Sequence, residues 1–173
     1  MKRISTKSIS LCALMMAMCY VATTFVSIPA FTGKGYINAG DVVIIVSSYI
    51  LGLKYSVVSA SIGSTLADIT LGYTLYAPCT FAVKFLMAFF ASLIFKSARK
   101  CVGTKKYYLF ICLGAFVSEL IMTAGYFLYE YILYGYSAIY GILGNISQAT
   151  LGVVGSFVII MIIKNNKVLS EIK

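Results

Sequence analysis

Apolar residues run along this chain in long blocks, not in the short alternations of strands or the one-sided stripes of water-soluble helices. The first block covers residues 9–28, behind a basic start of Lys2, Arg3 and Lys7. A polar stretch, PAFTGKGYINAG, follows at 29–40. Further apolar blocks cover 41–53, 55–71, 78–95, 107–131 and about 138–163. Each block predicts a membrane helix. The basic start followed by an apolar run also fits a secretory signal, but signal cores run only about 7–15 residues, and this block is longer. The stretch 41–71 reads either as two short spans broken near 52–54 or as one long span. Pro29 closes the first helix, and Pro78 sits where the fourth begins, a position proline tolerates.

Composition fixes the solvent. Of 173 residues, 61% are apolar and 11% charged, whereas water-soluble domains run at roughly 45–50% and about 25%. A soluble fold of this size could not hide that much apolar surface, so the surrounding medium is lipid. A span with its loop takes about 25–30 residues, which allows about six spans in a single domain, 1–173, and no ATPase, kinase or nucleic-acid module. Histidine and tryptophan are absent. That excludes histidine triads, zinc–histidine sites and histidine pH switches. No catalytic residue, metal or cofactor is expected. Cys12, Cys19, Cys79, Cys101 and Cys112 show no CxxC spacing and read as small apolar fillers. No internal repeat is evident, which speaks against a carrier built from two inverted halves.

Charge then gives orientation. There are 14 basic and 5 acidic residues, a net +9. If 41–71 makes two spans, 12 of the 14 basic residues fall on one side, and only Lys34 and Lys84 do not. If it makes one span, Lys96, Arg99, Lys100, Lys105 and Lys106 face outward, against the positive-inside rule. The expected fold is therefore all-α: an integral membrane six-helix bundle in a bacterial-type plasma membrane, with both termini cytoplasmic.

Ionisable groups inside spans are costly and mark function by default. In this topology Asp68 lies near the outer end of the third helix, and Lys84 about 9 Å below the start of the fourth. Glu119 lies midway along the fifth helix, with Tyr126 seven residues on, and Asn145 and Gln148 share one face of the sixth. Together they suggest an outward-facing pocket beneath loops rich in Tyr36, Tyr73, Tyr76, Tyr134 and Tyr136, whose rings can stack on a flat ligand. Each also has a plainer role. Asp68 and Lys84 can neutralise each other across a tight turn, Asn145 and Gln148 can hold helices together, the tyrosines can form an interfacial belt, Asp41 can cap the second helix, and Glu130 can be solvated. Small residues at spacing four (Ala13 and Ala17; Ser59, Gly63 and Ala67; Gly144, Gly152 and Ser156) permit close helix contact.

The stretches GYINAGD at 35–41, GSTLADITLGY at 63–73 and APCT at 77–80, with Lys84, resemble S components of energy-coupling factor (ECF) vitamin transporters, in the riboflavin, hydroxymethylpyrimidine and pyridoxine subgroup. The resemblance covers roughly 8–95 by motif and the whole chain by length and layout. It implies a substrate-binding subunit that captures a vitamin outside the cell and docks on a membrane coupling protein with two cytoplasmic ATPases. Ala13 and Ala17 match the family's AxxxA motif for that docking. The implied binding set is Asn38, Asp68, Tyr73, Tyr76, Lys84, Glu119, Tyr126, Asn145 and Gln148. Glu119 would accept a hydrogen bond from a protonated ring nitrogen, which favours a pyridoxine- or hydroxymethylpyrimidine-sized ligand over riboflavin. A membrane enzyme and an autonomous carrier or channel are the competing classes.

Overall fold

A computed structural model describes residues 6–29 and 36–165. Lys34, Gly35 and the basic residues at both extremes of the chain lie outside the described residues. The elements are α1 (Thr6–Phe25), β1 (Ser27–Pro29), β2 (Tyr36–Asn38), α2 (Gly40–Leu51), α3 (Leu53–Thr70), α4 (Ala77–Lys100), α5 (Lys105–Tyr134), a 3-10 turn (Gly135–Gly141) and α6 (Ile142–Asn165). The fold is all-α apart from one small hairpin.

Backbone chemistry sets the breaks. Gly52, at φ +71°, separates α2 from α3, so the stretch 41–71 is two helices. A side chain there would be forced into the left-handed region that glycine enters freely. Pro78 occupies the first turn of α4, where a missing N–H leaves no bond unmade. The polar stretch after the first block contributes to a hairpin. Residues 27–29 and 36–38 pair as antiparallel strands, with Ile28 opposite Ile37. The first helix therefore stops at Phe25, and Ile28 belongs to a strand.

The helices α1, α3, α4, α5 and α6 pack in that order as an arc, and α2 fills its centre, touching all five. Nine of the 12 residues of α2 are buried. At 1.5 Å per residue it is about 18 Å long, short of the ~30 Å hydrocarbon core, so it is a central helix rather than a full lipid-facing span. Three stretches are long and apolar enough to cross a membrane: Thr6–Phe25, Ala77–Lys100 and Lys105–Asn165. The last of these contains both α5 and α6.

The bundle is apolar outside as well as inside. Phe25, Ile69, Phe116, Leu120, Leu128, Ile146 and Val154 are all exposed, a surface suited to acyl chains rather than water. The small residues of α3 serve packing. Ser59, Gly63 and Ala67 are buried, and a Cβ on Gly63 would stand 2.6 Å from the Met16 carbonyl oxygen of α1. Ala13 and Ala17 lie on the other side of α1 and are exposed.

The order of the elements brings two sets of connections to opposite ends. The hairpin, the α3–α4 turn and the α5–α6 turn share one end, here the hairpin end. The Gly52 break and the α4–α5 turn share the other, which carries Lys7, Lys54, Lys96, Arg99, Lys100, Lys105, Lys106 and Lys164 and is here the basic end.

Candidate functional site: a polar cavity at the hairpin end

At the hairpin end the helices part around a small polar cavity of about 50 Å³ that opens to the outside of the bundle. Its wall draws on nearly every element: Thr23 of α1, Tyr36 and Asn38 of β2, Ser64 and Asp68 of α3, Thr80 and Lys84 of α4, Tyr126 and Glu130 of α5, and Asn145 and Gln148 of α6. Tyr73 and Tyr76 enter from the α3–α4 turn.

One side of the wall is a closed polar network. Lys84 forms an ion pair with Asp41, with both side chains at most 3% exposed. The second Asp41 oxygen accepts a hydrogen bond from Gln148 Nε2 at 2.5 Å. Gln148 Oε1 accepts from the Asn38 backbone N–H at 2.9 Å. The Lys84 ammonium also lies 5.3 Å from the Tyr126 ring centroid, and the Tyr126 hydroxyl bonds Thr80 Oγ1 at 2.9 Å. Two sequence expectations change here. Lys84 is neutralised by Asp41 rather than by Asp68, and Asp41 is an internal counter-ion with no cap bond on α2. A buried ammonium needs a close carboxylate, and the fold supplies it from 43 residues away.

The other side is open-handed. Tyr36 donates its hydroxyl to Asp68 Oδ1 at 2.5 Å. Burial and the adjacent Asp68 carboxylate push the Tyr36 phenol well above its ordinary pKa, so it keeps its proton and remains a donor. Asp68 Oδ2, Ser64 Oγ, Thr23 Oγ1 and Asn145 Nδ2 are buried with no hydrogen-bond partner. Unpartnered buried polar atoms are rare because each forfeits its hydration. Four of them around one cavity give its wall unused donors and acceptors. Tyrosines rim the mouth: the Tyr36 and Tyr73 rings are 5.0 Å apart, Tyr73 and Tyr76 6.3 Å, and Tyr76 and Tyr129 5.7 Å.

Of the nine residues the sequence suggested for binding, eight line this cavity: Asn38, Asp68, Tyr73, Tyr76, Lys84, Tyr126, Asn145 and Gln148. Glu119 does not. It sits at a separate crevice between α5 and α6, among Phe116, Leu120, Ile146, Ala149 and Val153, with both carboxyl oxygens buried and unpartnered. There it abuts Gly152, where any side chain would collide with the carboxyl. Glu130 takes the place at the cavity that was read for Glu119. It is 8% exposed rather than solvated, and it accepts a long bond, 3.4 Å, from the Tyr76 hydroxyl. Its spacing of four from Tyr126 puts the two on one helical face, a signal present in the sequence. Tyr36 comes from the tyrosine-rich loops expected above the pocket, whereas Thr23, Ser64 and Thr80 are wall residues the sequence did not suggest. Such short hydroxyl side chains carry no distinguishing pattern.

Comparison with known proteins now adds to this geometry. The ECF-type riboflavin transporter, S component family matches residues 3–165.

The chain belongs to that S component family.

It is a substrate-binding membrane subunit of a transport system. An uncharacterised protein of Pyrococcus woesei, described only as lying "in gap 3'region", is 30% identical over 135 residues, covering 78% of this chain and 86% of the relative. In this S component, the polar cavity gathers unpartnered donors and acceptors beneath a rim of tyrosines.

Proposed function

We propose that this S component captures riboflavin in the hairpin-end cavity. The single observation that carries the reading is the set of four unpartnered polar atoms, on Asp68, Ser64, Thr23 and Asn145, beneath a rim of tyrosines. A flat aromatic ring system stacks on tyrosine faces, and a hydroxylated side chain satisfies the orphaned donors and acceptors below. The family description supports riboflavin. The sequence argument for a pyridine-type ligand rested on Glu119, which lies off the cavity.

A pyridoxine- or hydroxymethylpyrimidine-sized ligand is the second reading. Asp68 Oδ2 is the observation that favours it, since a free carboxylate oxygen accepts a bond from a protonated ring nitrogen.

The basic end faces the cytoplasm, the cavity opens outward and both termini are inside, as the distribution of Lys and Arg directs. Uptake requires a membrane coupling protein, which docks on α1 at Ala13 and Ala17, and two cytoplasmic ATPases. The exposure of both alanines supports this, because small side chains let a partner helix approach closely.

Titration of the purified protein with riboflavin tests the reading by quenching of the flavin's fluorescence. Saturation at one flavin per chain is expected, with weak competition by pyridoxine and hydroxymethylpyrimidine. Saturation by either of those in place of riboflavin selects the second reading. No saturable binding of any of the three overturns both.

A further inference from the structure

Gln148 stood in the sequence as a candidate ligand contact, yet its side chain is committed elsewhere. It is 4% exposed. Its oxygen accepts two bonds from one residue of the hairpin, the Asn38 backbone N–H at 2.9 Å and Asn38 Nδ2 at 3.3 Å. Its nitrogen donates to Asp41 Oδ2 at 2.5 Å. Asp41 in turn holds the Lys84 ammonium. Asn38 closes the circuit by accepting the Gly40 N–H at 2.8 Å, just where α2 begins. One carboxamide therefore ties together β2, α2, α6 and, through the ion pair, α4.

We infer that Gln148 is a positioning residue: its oxygen fastens the hairpin to α6, and its nitrogen orients Asp41 and so fixes the Lys84 ammonium in the cavity wall. The inference rests on the capture reading only for its effect on ligand affinity. The fastening itself is a property of the empty protein.

The chemistry explains why glutamine suits this place. Asn38 presents two N–H donors and needs an acceptor. Asp41, already paired with Lys84 through one oxygen, has the other available and needs a donor. Only a carboxamide offers both ends in a fixed plane. A carboxylate would serve Asn38 but would set a second negative charge against Asp41. An apolar side chain would serve neither and would leave the Asn38 N–H and an Asp41 oxygen buried without partners.

Two measurements test this. The first is amide hydrogen exchange over residues 36–40 without any vitamin. Gln148→Leu should speed exchange at Asn38 by tenfold or more, about one lost bond, whereas Gln148→Glu should leave it near the wild-type rate. The second is riboflavin affinity. Gln148→Glu should weaken it by about tenfold or more, and Asp41→Asn combined with Gln148→Glu should bring it back to within about threefold of wild type. The combined variant restores one carboxylate facing one carboxamide, with their positions exchanged. A direct ligand contact would leave that combination as weak as Gln148→Glu alone.

Unchanged Asn38 exchange in Gln148→Leu would overturn the fastening. A combined variant that melts like wild type yet shows no recovery would overturn the positioning of Lys84. If the combined variant does not fold, the exchange comparison alone decides. If wild type fails to bind riboflavin, the proposed substrate falls, while the exchange result still decides whether Gln148 fastens the hairpin.

Discussion

The two ends of the bundle bury polar groups in opposite ways. At the basic end the groups pair off. The Tyr49 and Tyr107 hydroxyls bond at 2.9 Å, the Ser56 and Ser92 hydroxyls at 2.8 Å, and Arg99 donates to the Tyr49 carbonyl at 2.6 Å. Around them packs a cluster built on Phe95, Ile45, Ile111 and Ile160. At the hairpin end Lys84 is paired with Asp41, Asp68 and Glu130 line the same cavity, and four polar atoms have no partner. In a low-dielectric interior a satisfied pair is structural glue, while an unsatisfied group costs free energy unless something else completes it. The contrast separates the end that holds the bundle closed from the end proposed to receive the vitamin.

Substitutions can break this contrast, beginning with those that should cost the most affinity. Lys84→Ala leaves Asp41 as a buried, uncompensated charge. It should lower stability by about 3–5 kcal/mol and abolish riboflavin binding, measured by thermal melting in detergent and by fluorescence titration. Asp68→Asn keeps the shape of the cavity wall but removes the charged acceptor. Affinity should fall about 10- to 100-fold, equivalent to roughly 1.4–2.8 kcal/mol, with little change in melting temperature. At the basic end, Ser56→Ala removes one neutral hydroxyl bond. Stability should fall by about 1 kcal/mol, and affinity should not move. Ala17→Leu should likewise spare binding, yet it should stop uptake in cells that carry the coupling module. Loss of affinity in Ala17→Leu would place that face inside the capture site and blur the division between the ends.

Much of this architecture was legible in the sequence because lipid imposes a simple rule: apolar blocks become helices, and stray polar groups stand out. The break at Gly52, the proline start of α4 and the wall residues Asp68, Lys84, Tyr126, Asn145 and Gln148 followed from that rule. What was hidden has physical causes. The hairpin strands are three residues each, too short for an alternating pattern to register. The Asp41 partner comes from another helix, so no local spacing reveals it. Glu119 was placed with Tyr126 on the assumption of a strict seven-residue repeat. The shared face holds to within about 20°, but Glu119 lies about 10 Å deeper along the helix axis than Tyr126, and the wall takes Glu130, one turn beyond Tyr126. The short hydroxyl groups of Thr23 and Ser64 became visible only as unpartnered atoms.

Glu119 sharpens the comparison once more, because it is also a buried unpartnered acid but faces an apolar crevice and does not line the hairpin-end cavity. The most direct test of the account is therefore the riboflavin affinity of Asp68→Asn and Glu119→Gln, measured side by side under one set of conditions. The account predicts a loss of tenfold or more for Asp68→Asn, by the removal of a charged hydrogen bond, and affinity within about twofold of wild type for Glu119→Gln, which touches no cavity wall. The reverse pattern, with Glu119→Gln losing binding and Asp68→Asn retaining it, would contradict the assignment of capture to the hairpin-end cavity.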